Sequence, residues 1–220
     1  MSSSREKILA RLRQNKIPFP EVAPVENYRH MAQVSNTSPA ALCNLFVEEA
    51  TKLACEVQVV ETAEDALKRI MQLIGNEVRI SSWDPALIPL PGLAEALAEA
   101  GVTCVGEDAG VQIGLSGVNA ALAATGSLVL CSGPGRFRGA SLLPPTHIAF
   151  VAQEQIVSDL EAWFAQQREL GLDQLRRSSN VAIISGPSRT ADIAMQPVMG
   201  MHGPGQVHIV LLADSGCAAQ

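Results

Sequence analysis

Apolar residues in the first half of the chain alternate between two spacings. Leu42, Leu45, Phe46, Ala50 and Leu53 recur at helical intervals behind Ser38-Pro39, a helix-starting pair, and Val57–Val60 then forms a short β-branched run. Thr62-x-x-Asp65 starts a second helix with Leu67, Ile70 and Ile74 inward; Gly75 closes it and strand 78–81 follows. Leu93, Ala96, Leu97 and Ala100 line a third, ended by Gly101 before strand 102–105. Helices alternating with short strands predict an α/β fold with a mostly parallel sheet flanked by helices.

The rhythm changes after Asp108. Strand 111–115, a break at Ser116-Gly117, strand 119–123, the turn Ala124–Ser127 and strand 128–130 predict an antiparallel hairpin inserted into the α/β pattern. Gly133–Gly139 reads as a mobile basic loop containing Arg136 and Arg138. Parallel order is expected to return with strand 147–151, a helix over 157–170, strand 181–184, a helix starting at Thr190, and strand 207–212. At the other end, Ser3-x-x-Glu6 caps a short helix with Ile8, Leu9 and Leu12 apolar. A proline-bearing stretch without periodicity follows it. The expected organisation is a helical N-terminal arm and linker over 1–37 and one α/β domain over 38–220.

Composition narrows the function. The 220 residues carry 16 basic and 22 acidic groups, a net charge of −6, and no basic stripe interleaved with aromatics, so nucleic acid is not an expected partner. No apolar run approaches the ~18 residues of a membrane span, and the N-terminus has no hydrophobic signal core. A cytoplasmic protein is expected. Cys43, Cys55, Cys104, Cys131 and Cys217 show no metal-binding spacing; they read as buried small hydrophobes plus one thiol in a loose C-terminal tail. No metal or cofactor motif is found: the 133–139 loop lacks the lysine of a phosphate-binding loop and does not match G-x-G-x-x-G.

The densest chemistry lies in Ser185-Gly-Pro-Ser-Arg-Thr-Ala-Asp-Ile193 and Met201-His-Gly-Pro204. A strand, a Gly186-Pro187 turn and a helix N-terminus would offer unpaired backbone N–H groups to a carboxylate or phosphate, with Arg189 as a clamp and Ser188 and Thr190 as hydroxyl donors. Helix capping by Ser188 or Thr190 explains the hydroxyls equally well. His202, held between glycines, is the candidate acid or base, because imidazole titrates near neutrality, and Asp192 is the nearest carboxylate to orient it. Thr125-Gly126-Ser127 places two hydroxyls at a hairpin turn, where they serve either a ligand or the turn itself. Arg138 is a further candidate for closing over an anion. Thr125, Ser127, Ser188, Arg189, Asp192 and His202 are expected to meet in one cleft at the carboxyl ends of the strands.

Together, Gly117–Leu130, Ser141–Ile148, Ser185–Ile193 and Gly200–Pro204 resemble the lactate-utilisation (LUD) domain family in order and spacing, over roughly residues 40 to 213. The resemblance implies a sheet of the kind shared with ribose-phosphate isomerases and CoA transferases. It also implies cytoplasmic work beside iron–sulfur subunits that oxidise lactate to pyruvate. Where the family often carries acidic residues this chain has Ala124 and Ala194, so no carboxylate role carries over to those positions. The leading expectation is a non-redox accessory subunit binding a small carboxylate or a partner. The alternative is an isomerase, cyclo-ligase or acyl-transferase acting on a phosphorylated or carboxylated metabolite.

Overall fold

A computed structural model describes residues 4–15, 34–106, 108, 110–191, 197–213 and 217. In chain order the elements are α1 (Ser4–Gln14), α2 (Pro39–Lys52), β1 (Glu56–Val60), α3 (Ala63–Ile74), β2 (Arg79–Ser82), α4 (Leu93–Glu99), β3 (Thr103–Val105), β4 (Ile113–Ser116), β5 (Ala120–Leu122), β6 (Ser127–Ser132), β7 (Thr146–Ala152), β8 (Ile156–Val157), α5 (Leu160–Glu169), α6 (Asp173–Arg177), β9 (Asn180–Ile184), β10 (Arg189–Ala191), β11 (Pro197–Met199) and β12 (Gln206–Leu212). The main sheet has six strands in the order β1-β12-β7-β4-β2-β3, every neighbouring pair parallel. A second sheet, β8-β5-β6-β9, contains the β5–β6 hairpin. None of the described helices is long and apolar enough to cross a membrane.

Local signals explain where the helices start. The Ser38 hydroxyl accepts the Ala41 N–H at 3.4 Å and Pro39 opens α2; the Thr62 hydroxyl accepts the Asp65 N–H at 3.1 Å and opens α3. α2 then presents Leu42, Cys43, Phe46 and Ala50 to the core as one stripe, and α3 presents Ala66, Ile70 and Ile74. The central strands β7 and β12 are buried along almost their whole length, as a parallel sheet covered on both faces requires.

Four expectations need correction. The strand expected at 111–115 does not join the antiparallel excursion: β4 lies between β2 and β7 in the parallel sheet. β9 does not return to the parallel sheet but pairs antiparallel with β6, leaving Val181 and Ile183 exposed on one face. The helix expected from Val157 begins at Leu160, after β8, because Asp159 caps it by accepting the Ala162 N–H at 2.7 Å. Residues 189–191 form a strand rather than a helix start, since Arg189 pairs with Met199 and Thr190 with Val198 in a β10–β11 hairpin. The rest of the expected helix, 192–196, and the linker 16–33 lie outside the described residues.

The cysteines also depart from expectation. Cys217 is no loose thiol but is buried and disulfide-bonded to Cys43 of α2, across 174 residues of sequence, while Cys55, Cys104 and Cys131 are free. Thus Cys217, beyond β12, is pinned to the helix that precedes β1. Protein purified without reductant, denatured and alkylated should take up label on three of its five cysteines, and on all five after reduction. Closing so long a loop should contribute about 3–5 kcal/mol, read as a fall in the denaturation midpoint on reduction. Five labels without reduction would show that the bridge does not form.

Within the main sheet, the Ser116 hydroxyl lies 2.8 Å from His147 Nε2 and both side chains are fully buried; His147 Nδ1 has no hydrogen-bond partner. Burial pushes His147 from the ordinary 6.5 down to about 4. Between these values the unfolded chain binds a proton that the folded chain does not. This contribution to stability is therefore complete above pH ~6.5 and is lost as pH falls, by up to about 3 kcal/mol near pH 4. Urea midpoints at pH 7 and pH 4.5 should diverge more for the natural chain than for His147→Gln. An equal fall in both would remove His147 as the cause.

Candidate functional site

The candidate site sits where the second sheet meets the carboxyl end of α2. In the β5–β6 turn, Gly126 has φ +63°, and a Cβ there would lie 2.2 Å from the Ala50 nitrogen. After β9, Gly186 has φ +87°, and its Cβ would lie 2.4 Å from the Leu53 carbonyl oxygen. Both glycines therefore let their turns close onto α2. The Arg189 guanidinium donates to the same Leu53 carbonyl at 3.1 Å, favourable for a cation at a helix C-terminus. Its charge also bears on Cys55, whose thiol burial pushes up to about 11 against the opposing pull of Arg189.

These contacts align a row of hydroxyls. Thr125 Oγ1 donates to Ser127 Oγ at 3.0 Å, and Ser127 Oγ lies 2.8 Å from Ser185 Oγ. Three residues on, Ser188 is bound to the glycine-rich loop by three hydrogen bonds. Its N–H donates to the Pro204 carbonyl at 2.8 Å, its carbonyl accepts from the Gly200 N–H at 2.9 Å, and its Oγ accepts from the His202 N–H at 3.3 Å. The 125–127, 185–188 and 200–204 segments thus form one hydrogen-bonded cluster.

Three cavities border it. One of about 190 Å³ is lined by Ser185, Gly186, Ser188, His202 and Ile183 among others. A second, about 390 Å³, shares Ile183 and Ser185 and adds Thr125, Ser127, Leu122 and Leu160, with Asp159 and Glu161 also in its lining. The third, about 770 Å³, lies across the 200–205 loop, where Leu142, Leu143, Met199 and Met201 present exposed apolar side chains beside His202. Sequence reasoning passed over this apolar wall, although Met199-Gly-Met-His202 displays two large apolar residues in a glycine loop.

Other expected participants stand apart. Arg138 is exposed at the start of a 3₁₀ turn, where its carbonyl accepts from Ser141 Oγ at 3.2 Å, and Thr190 lies on β10; neither lines these cavities. Asp192 lies outside the described residues. The 133–139 loop is tied down rather than mobile. Gly133 and Arg136 exchange backbone hydrogen bonds, Asp84 N–H donates to the Gly135 carbonyl at 2.7 Å, and the Arg136 guanidinium lies 5.6 Å from the Trp83 ring centre.

The location also differs from expectation. The 200–205 loop leads into the first residue of β12, and Gly205 and Gln206 donate to the Pro145 carbonyl just before β7. The cluster is at the amino edge of the six-stranded sheet, not at its carboxyl ends; it follows the carboxyl ends of β5 and β9 in the second sheet.

Comparison with known proteins places this architecture. The LUD domain family model matches residues 43–212. The chain belongs to the LUD domain family. One LUD relative, lactate utilization protein C of an Exiguobacterium species, is 30% identical over 208 residues, covering 87% of each chain. The protein of the same name from Halalkalibacterium halodurans is 28% identical, over 79% of this chain and 80% of its own. The uncharacterized protein YkgG of Escherichia coli is 27% identical over 90% of each. Among solved structures, a DUF162 family protein from Deinococcus radiodurans superposes with a TM-score of 0.59 at 24% identity, covering 80% of this chain and 99% of that one, and so shares the fold.

The contact between the LUD turns and α2 is testable by substitution. Gly126→Ala should cost about 3 kcal/mol or more, because it combines left-handed backbone strain with a methyl group driven into helix backbone. Gly171→Ala, with positive φ but open space around it, should cost only about 1 kcal/mol. Equal midpoints for the two variants in urea unfolding would remove the packing argument.

Proposed function

We propose that this LUD-domain chain serves lactate utilisation as a cytoplasmic subunit without a redox cofactor of its own, beside iron–sulfur subunits that oxidise lactate to pyruvate. In this reading it binds a small carboxylate. The names of its relatives support the metabolic role. The observation that carries the binding role is the 190 Å³ cavity in which Ser185, Ser188 and His202 converge. Hydroxyls held by Ser127 Oγ and by the His202 N–H, beside an imidazole, are groups that recognise a carboxylate with little reorganisation. His202, with Asp192 next along the chain as a carboxylate, is the group to hold or move a proton at the bound acid. Arg189, already engaged with α2, stabilises the wall rather than clamping the ligand.

The isolated chain should gain thermal stability with increasing L-lactate or pyruvate, as binding to the native state alone requires. His202→Ala, at an exposed position, should keep the fold and weaken binding by about 1.5–3 kcal/mol. Arg189→Ala should lower stability by about 1 kcal/mol and leave affinity unchanged. Undiminished binding in His202→Ala, or lactate-dependent dye reduction by the isolated chain, would overturn the reading.

A further inference from the structure

The 390 Å³ cavity asks for a ligand part that a three-carbon acid does not have. It lies on the face of the second sheet that α5 covers only in part. Ala120, Leu122, Val129, Cys131 and Val157 pack there with Trp163, and Leu160 packs against them. The same face of edge strand β9 carries Val181, Ile183 and then Ser185, which alternate along the strand, and it leaves Val181 37% and Ile183 48% exposed. The groove between Leu160 and Ile183, floored by Leu122, is therefore apolar, and it ends on the hydroxyl row Thr125, Ser127 and Ser185.

Ser185 and Ile183 belong to both this groove and the 190 Å³ cavity, where Ser188 and His202 stand among Leu142, Ile184 and Val207. The smaller cavity is on the scale of a three-carbon acid and the groove is about twice its volume. A cavity of 390 Å³ with apolar walls and a few placed hydroxyls has the make-up of a site for an amphipathic small molecule. The donors fix the orientation: Ser188 and His202 line the smaller cavity while Leu160, Leu122 and Ile183 line the groove, so an anionic head goes to the Ser188–His202 side.

We infer that the two cavities form one bipartite site for a carboxylic acid with an alkyl tail of about four to six carbons beyond the carboxyl end, the head between Ser188 and His202 and the tail along Leu160, Leu122 and Ile183. This rests on the carboxylate reading above and extends it from three-carbon acids to medium-chain ones. The tail shields Ile183 from water, which gives a chain-length dependence of about threefold to fourfold in affinity per methylene.

The test is calorimetric titration of the full chain with lactate, butyrate, hexanoate, octanoate and the dicarboxylate suberate, kept below micelle-forming concentrations. Affinity should rise in steps from butyrate to octanoate, and suberate should bind at least tenfold more weakly than octanoate. Ala124→Leu, which fills the groove from a half-buried turn position that does not line the 190 Å³ cavity, should abolish the chain-length dependence while leaving lactate binding unchanged. His202→Ala should weaken every ligand alike. Lactate binding with no chain-length dependence, or a dependence that survives in Ala124→Leu, overturns the bipartite site but not the carboxylate reading. Binding by none of these acids overturns both.

Discussion

The carboxyl end of α2 is the point on which the rest of the molecule is assembled. The helix is held in the main core by Leu42, Phe46 and Ala50, and by the bridge from Cys43 to Cys217 beyond β12. Its last turn then receives two backbone segments of the second sheet, Gly126 against Ala50 and Gly186 against Leu53. Neither approach leaves space for a side chain, so the relative position of the two sheets is set by backbone-to-backbone contact rather than by deformable side chains. Arg189 closes the same corner by taking up a carbonyl that the helix itself cannot satisfy.

From this corner the hydroxyl row follows. Once Gly126 and Gly186 are seated, Ser127 and Ser185 have to face each other, because they extend the β6–β9 register by one step beyond Leu128 and Ile184. Ser188 then fastens the 200–204 loop through its N–H, carbonyl and hydroxyl, which carries His202 to the same cleft. Polar groups are therefore concentrated at a seam where large apolar residues remain partly exposed: Ile183 on one side, Leu142, Met199 and Met201 on the other. Such a mixture has little to offer to folding and much to offer to a small ligand.

Elements governed by local chemistry were legible in the sequence. The caps at Ser38 and Thr62, the stripes of α2 and α3, and the hairpin turn at 124–127 depend on residues within one or two turns of each other. What was not legible depends on distant partners. Val181–Ile184 is a short apolar run equally suited to a buried parallel strand or a half-covered edge strand, and only the presence of β6 beside it decides. Thr190 has the neighbours of a helix start, yet pairing with Val198 keeps 189–191 extended. Cys43 and Cys217 are brought together by the fold across 174 residues, which no spacing rule anticipates. At the candidate site the clustering of the 125–127, 185–188 and 200–204 segments was readable from their glycines and hydroxyls. Their position on the sheet was not, nor was the hydrogen bond from Arg189 to the end of α2.

The displacement of that cluster to the amino edge of the main sheet has a physical reason. In open α/β sheets a ligand normally enters at the carboxyl ends, where successive connections diverge. Here they diverge between β2, which continues outward to β3, and β4, which continues the other way to β7. That crevice is filled by the chain itself. Trp83 N–H donates to the Leu115 carbonyl at 3.0 Å, Asp84 N–H is tied to Gly135, Arg136 stacks over Trp83, and Gly117 packs against Ile88 and Pro89. With that crevice closed by backbone hydrogen bonds and an aromatic plug, the hydroxyls of the second sheet converge instead at the seam that it makes with α2. The antiparallel sheet thus does more than decorate an α/β fold, for it supplies Thr125, Ser127 and Ser185 and fixes the loop that carries His202.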